Sequence, residues 1–389
     1  MIDYSKILSD TVVGIKPSGI RKFFDIAATM DDVISLGVGE PDFQTPWSVR
    51  KAGITSLEKG KTKYTSNSGL EKLRQEISNY IDRKYGVSYD ASHEVLVSVG
   101  GSEAIDATLR AVITPGDEVI IPQPSYVCYE PITKLCGGVP VIIETLAEND
   151  FKVTPEQLKN AISDKTKALI LPYPCNPTGA IMERADLQAL AEVLRDTNIL
   201  VISDEIYSEL TFSDKPHVSI ASIDGMRERT VMINGFSKTF SMTGWRLGFA
   251  CGPQQIISQL TKIHQFAIMC APTMSQYAAI EALRGCDDAV AQMKAEYNRR
   301  RRLMVDGFNK AGLACREPKG AFYAFPCIKS TGLTSDEFCE KLLEKKHVAV
   351  VPGTAFGKGG EGFVRASYCY SPEHIIEAIR RIEEFVKEI

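Results

Sequence analysis

The sequence predicts an α/β protein: a large domain on a mostly parallel, doubly wound sheet, with a smaller α+β domain beside it. Three observations lead there. Apolar runs of four to six residues recur between positions 94 and 233, separated by helical stretches. That is the pattern of parallel strands covered on both faces. Beyond position 272 it gives way to a long Ala- and charge-rich helical stretch reaching about 311, followed by short strands and helices. The length of 389 residues favours two domains over one.

In chain order, residues 1–15 read as an N-terminal arm. A short strand at 33–36 leads into GVGEPDFQTP (37–46), a rigid loop whose two glycines let backbone approach a ligand. Helices are predicted at 49–58 and 71–84, with the polar loop KTKYTSNS (61–68) between them. The alternation follows: strands at 94–99, 118–121, 139–144, 168–171, 199–203 and 230–233, with helices after most of them. The helix at 154–163 has a Thr cap and Pro at the next position. Segments 321–326, 348–351 and 362–367 read as a smaller mixed sheet covered by helices at 335–345 and 372–387. The domains predicted are 46–285 (large) and 16–45 with 286–389 (small).

Lys plus Arg number 45 against 49 acidic residues, a net charge of −4, which argues against nucleic acid or an anionic membrane as the main partner. The one basic run, 299–302, reads as a solvated helix face. None of the ten cysteines forms a C-x-x-C pair and the five histidines are dispersed, so no metal and a reducing compartment are expected. Without a leader-like start or a membrane-length apolar run, a cytoplasmic protein is expected. Two familiar patterns fail on context. Gly357, Gly359 and Gly362 match G-x-G-x-x-G but precede a strand instead of following one, and Gly60-Lys61-Thr62 lacks the first glycine of a P-loop. A nicotinamide dehydrogenase is excluded on the same ground.

The residues just after each strand converge better. Gly100-Gly101-Ser102 opens a helix, and bare N–H groups there suit a phosphate. Tyr126 in a Pro-rich loop offers a ring to stack on a heterocycle, and Asn176 in NPTG offers an amide. Asp204 ends four apolar residues, so its carboxylate needs a partner such as a protonated pyridine; Tyr207 follows three residues on. A helix N-cap is the ordinary alternative for Asp204. After 230–233 comes NGFSKTFSMTGWRLG (234–248), with Lys238 among apolar neighbours and Arg246 eight residues later. A desolvated amine attacks carbonyls, and an arginine fork suits phosphate. Together they describe a site for pyridoxal 5′-phosphate (PLP), a carbonyl cofactor with a phosphate tail.

The strings GVGEPDF, KYTSNSGL, GGSEA, PSYVCY, NPTG, SDEIY, SKTFSMTGWRLG and FVRASY cover nearly the whole chain in order. In them the chain resembles the fold-type I, PLP-dependent aminotransferases of class I, closest to the bacterial aspartate, aromatic and N-acetyl-diaminopimelate aminotransferases. The resemblance implies that Lys238 would hold the cofactor covalently, Asp204 would pair with its ring nitrogen, and Asn176 and Tyr207 would bond its ring oxygen. Tyr126 would stack on the ring. Gly101, Ser102, Ser237 and Arg246 would bind the phosphate, joined by Tyr64 from a second subunit of a homodimer. Arg365 would grip the substrate carboxylate with Asn176 and the backbone of Gly39. Position 235 departs from the pattern: it is Gly where many relatives carry Ser.

The activity so implied is transfer of an amino group from an L-amino acid (aspartate, aromatic or related) to 2-oxoglutarate in a ping-pong cycle. A β-eliminating C–S lyase on the same fold is the alternative. A PLP-binding regulator would need an added DNA-binding module for which the chain has no spare residues. Selectivity for the side chain is assigned to 15–24 and the surroundings of Tyr64, where Arg21 and Lys16 read more simply as solvated.

Overall fold

A computed structural model describes residues 2–17, 19–20, 30 and 32–389 of the chain, so Arg21 and half of the expected 15–24 selectivity segment lie outside the described residues. The strands are β1 (Ile34–Ser35), β2 (Val95–Ser98), β3 (Glu118–Gln123), β4 (Val139–Glu144), β5 (Thr166–Leu171), β6 (Leu200–Asp204), β7 (Thr230–Gly235), β8 (Gly248–Cys251), β9 (Tyr323–Ala324), β10 (Val348–Ala349), β11 (Val351–Pro352) and β12 (Val364–Ser367). Seven form one sheet in the order β2-β8-β7-β6-β5-β3-β4. All run parallel except β8, which is antiparallel to β2 and β7.

Side chains of a strand alternate between faces, and both faces here are buried. Met232 joins Leu73, Ile77 and Phe249 on one side of the sheet. Its neighbours Val231 and Ile233 join Leu109, Ile202 and Leu260 on the other. Local signals hold where they were sharp. Thr154 Oγ1 accepts a hydrogen bond from the Gln157 backbone N–H and Gln157 Oε1 accepts one from the Thr154 N–H, capping helix Pro155–Ala161.

Four expectations need correction. The apolar run at 248–251 is a separate strand, β8: the chain turns straight back after β7, pairing Gly235 with Gly248, so the lysine string is the connection of an antiparallel pair. The helical stretch beyond 272 is two helices, Thr273–Gly285 and Asp287–Lys310, preceded by a third, Gln254–Ala267, that periodicity did not separate. The small mixed sheet is instead a three-stranded antiparallel sheet, β11-β12-β9, and a separate parallel pair, β1-β10. Finally, the basic run is not a solvated face throughout. Arg300 and Arg301 are buried. Arg300 pairs with Asp42 and Glu296, each at 2.8 Å, and Arg301 reaches Glu317 at 2.6 Å and the Pro318 carbonyl at 3.0 Å. A buried guanidinium persists only with partners, and apart from Glu296 on the same helix these come from other segments that a local reading of charge does not reveal.

The 34–35 strand thus lies against 348–349. This carries the 37–46 loop back to the carboxyl ends of the large sheet, where β6 and β7 present Asp204 opposite Ile233.

Candidate active site

Doubly wound sheets leave a crevice at the carboxyl ends of their strands, and here a cavity of about 550 Å³ opens there. Of the residues singled out in the sequence, Gly39, Gly101, Ser102, Tyr126, Asn176, Asp204, Tyr207, Ser237, Lys238, Arg246 and Arg365 all line it. Tyr64 does not: it is 84% exposed on its own loop. Lys16 is exposed and off the cavity wall.

Lys238 sits in the β7–β8 connection, reachable from the cavity but otherwise enclosed by protein. Its Nζ donates to the Gly39 carbonyl at 2.7 Å and lies 5.5 Å from the Phe322 ring centre. Burial pulls its pKa down to about 8, with the Arg365 and Arg246 guanidinium groups pushing the same way and Glu40 and Cys369 opposing. Asp204 is buried at the end of β6. Its Oδ2 accepts the Tyr129 hydroxyl at 2.7 Å and its Oδ1 the Ile206 N–H at 3.2 Å. The backbone bond resembles the cap considered above, yet no α-helix follows. Desolvation nevertheless outweighs both bonds and raises the carboxyl pKa.

Arg365 on β12 is 2% exposed and held from several directions. Its Nη1 donates to Asn176 Oδ1 at 2.9 Å and its Nη2 to the Gly37 carbonyl at 2.6 Å. The guanidinium carbon lies 4.4 Å from the Tyr323 ring centre and 4.8 Å from that of Phe356. Its Nε is buried without a partner.

At the other end, Gly100 takes φ +88° to open helix Gly101–Val112, and a Cβ there would come within 2.9 Å of Arg246 Nη2. Only glycine lets the arginine and the first N–H groups of the helix share one cup. Arg246 is exposed, donates from Nη1 to the Thr243 carbonyl at 3.1 Å, and also lines an adjoining open cleft of about 720 Å³. Gly235 has its own reason. A Cβ there would sit 3.0 Å from Ile206 Cδ1 and 3.1 Å from Gly248 Cα, tighter than a serine would tolerate without a local shift.

Sequence reasoning missed Tyr129, which bonds Asp204, and Tyr323, whose hydroxyl lies 2.9 Å from that of Tyr207. It also missed Phe322, Phe356 and the Glu40–Thr243 bond at the cavity mouth. Tyr129 falls inside the string PSYVCYEP, three residues after Tyr126, and the two rings pack edge to face with centres 6.0 Å apart. That spacing was there to use. The dismissed glycines also acquire a role: Gly357, at φ +119°, leaves no room for a Cβ beside Gln123 Oε1, at the end of β3.

Residues 31–382 match the family model for class I and II aminotransferases. The chain is 52% identical to a putative aminotransferase, YugH, of Bacillus subtilis, over 97% of this chain and 98% of that one. It is 47% identical to an aspartate aminotransferase of Pyrococcus abyssi, over 98% of each. The crystal structure of an aromatic aminotransferase from Pyrococcus horikoshii superposes with a TM-score of 0.90 at 44% identity, covering 95% of this chain and 99% of that one.

Proposed function

The chain belongs to the class I and II aminotransferases, enzymes of the transaminase type, and from that premise we propose that it uses PLP to move the amino group of an aspartate-like or aromatic L-amino acid to 2-oxoglutarate by a ping-pong cycle. One observation carries the reading: a single cavity holds a lysine whose pKa is pulled down to about 8, a buried carboxylate, a glycine-opened helix N-terminus beside Arg246 and a clamped arginine with a free donor. These residues fit the cofactor on physical grounds. An orphaned buried N–H and a buried carboxylate without a charged partner each cost free energy that a charged ligand would recover. The names of the similar proteins, for aspartate and for aromatic substrates, support the donor class.

When bound, PLP supplies an aldehyde that captures an amine and a ring that accepts the electron pair released at Cα. Lys238 would hold the aldehyde, and its amine would serve as the base that moves the Cα proton. The low pKa serves both tasks, since each needs the amine neutral. Asp204 would pair with the protonated ring nitrogen, whose positive charge would offset the desolvation of the carboxylate; Tyr129, donating to Asp204 Oδ2, holds that carboxylate in place. Asn176 and Tyr207 would bond the ring oxygen, and Tyr126 would stack on the ring. Gly101, Ser102, Ser237 and Arg246 would take the phosphate. Arg365 receives the substrate carboxylate, helped by Asn176 and Gly39.

The chain acts as a homodimer, with Tyr64 of each protomer completing the phosphate site of the other. The exposure of Tyr64, the open cleft beside Arg246, and exposed apolar side chains such as Trp47 and Phe266 support this. Residues 16–45 and 286–389 form the small domain and 46–285 the large one; the pairing of β1 with β10 supports that division. Among the described residues no helix is long and apolar enough to cross a membrane.

The test is a panel of amino donors (aspartate, aromatics, alanine, N-acetyl-diaminopimelate) with and without 2-oxoglutarate. Transfer predicts glutamate in step with the donor's keto acid. Ammonia and pyruvate released without an acceptor would assign the chain to elimination instead. A fully active monomer in sedimentation would remove the shared site.

A further inference from the structure

One side chain joins the two walls of the cavity. Tyr323 on β9 is 1% exposed and lines the cavity. β9 pairs with β12, so its ring is presented to Arg365 from the neighbouring strand, 4.4 Å from the guanidinium carbon. Its hydroxyl crosses to the large sheet, 2.9 Å from the hydroxyl of Tyr207, which follows β6. The fit is close: a Cβ on Gly39, whose carbonyl accepts the Lys238 amine, would fall 2.0 Å from the Tyr323 oxygen.

Each phenol has a single hydrogen, so only one of the pair donates to the other. Burial raises the pKa of both. The Arg365 guanidinium opposes that rise in both. Neither hydroxyl has another partner among the described residues. If Tyr207 gives its hydrogen to the cofactor's ring oxygen, its own oxygen is left as an acceptor 2.9 Å from the Tyr323 hydroxyl, which then donates to it.

We infer that Tyr323 is a positioning residue: its hydroxyl donates to Tyr207 and so commits the Tyr207 hydrogen to the cofactor's ring oxygen, while its ring holds the Arg365 guanidinium for the substrate carboxylate. The inference rests on the reading above in which Tyr207 bonds that oxygen. It gives one residue two separable effects, one on the cofactor's proton equilibrium and one on substrate binding. A donor that is itself hydrogen-bonded donates more strongly, and a stronger donor on the ring oxygen draws electron density away from the nitrogen that links Lys238 to the cofactor.

The experiment is a pH titration of the visible absorption of the PLP-loaded protein, alongside KM and kcat. Tyr323→Phe keeps the ring and loses the hydroxyl, so the spectral midpoint should rise by roughly half a unit with KM for the donor within about twofold. Tyr323→Leu loses both, so KM should also rise, by roughly fivefold or more. Tyr207→Phe should raise the midpoint further than Tyr323→Phe, and the double variant should show no shift beyond that of Tyr207→Phe alone. A parental midpoint in Tyr323→Phe while Tyr207→Phe is shifted, or additive shifts in the double variant, would overturn the inference and leave the role of Tyr207 standing. No shift in Tyr207→Phe would overturn both.

Discussion

The two walls of the cavity treat buried charge in opposite ways. On the large sheet, Lys238 and Asp204 are undercompensated: desolvation dominates each, pulling one pKa down and pushing the other up. On the small sheet, Arg365 is more deeply buried yet held by a carbonyl, an amide and two aromatic faces. A group that must exchange a proton or capture a charged ligand benefits from being left short of partners. A group that must stay charged and aimed through a catalytic cycle needs its partners built in, and only its Nε is left unsatisfied. The contrast separates chemistry from recognition within a single pocket.

Substitutions on the two walls should therefore fail differently, and the sharpest break comes first. Lys238→Ala should lower turnover by on the order of 10⁴-fold while PLP still binds non-covalently; single-turnover assays and the absorption of the loaded protein check both halves. Near-parental turnover would erase the distinction between the walls. Asp204→Asn should cost on the order of 10²- to 10³-fold in kcat and weaken PLP in equilibrium titration. An effect confined to KM would move Asp204 into the recognition group. Arg365→Ala should raise KM for both the amino and the keto acid by roughly 10- to 100-fold, the worth of a charge-assisted hydrogen bond, and change kcat much less.

The smallest effect is the pH dependence of cofactor loading. The folded pKa of Lys238 lies below the ordinary lysine value, at about 8. Protonated below that point, the amine becomes the reactive neutral form as pH rises through it. The rate at which apoprotein takes up PLP covalently should climb by up to about tenfold between pH 7 and 9 and then level. By linkage, the unfolded chain holds the proton more tightly between about pH 8 and the normal lysine range. This group therefore destabilises the fold below pH 8, and stability recovers as pH rises through that window. A loading rate flat across pH 8 would show that Lys238 is as well compensated as Arg365.

The chemical wall was the more legible one in the sequence, for a physical reason. Asp204, Lys238 and Gly100–Ser102 each sit directly after an apolar run that announces a buried strand, so position and chemistry are read from one short string. The recognition wall depends on register between distant segments. Arg365 was found only through resemblance, and Tyr323 and Phe356 were missed because nothing near them in the chain records that they flank a guanidinium. The same blindness hid the partners of Arg300 and Arg301, which lie at Asp42 and Glu317. β8 was missed because its four residues follow the lysine string without a turn signal of their own, although they complete the sheet that positions it.

The most direct measurement is borohydride reduction of the PLP-loaded protein followed by peptide mapping. A single stable pyridoxyl adduct is expected on the peptide bearing Lys238, lost in Lys238→Ala. An adduct on another lysine, or none in the presence of excess cofactor, would contradict it.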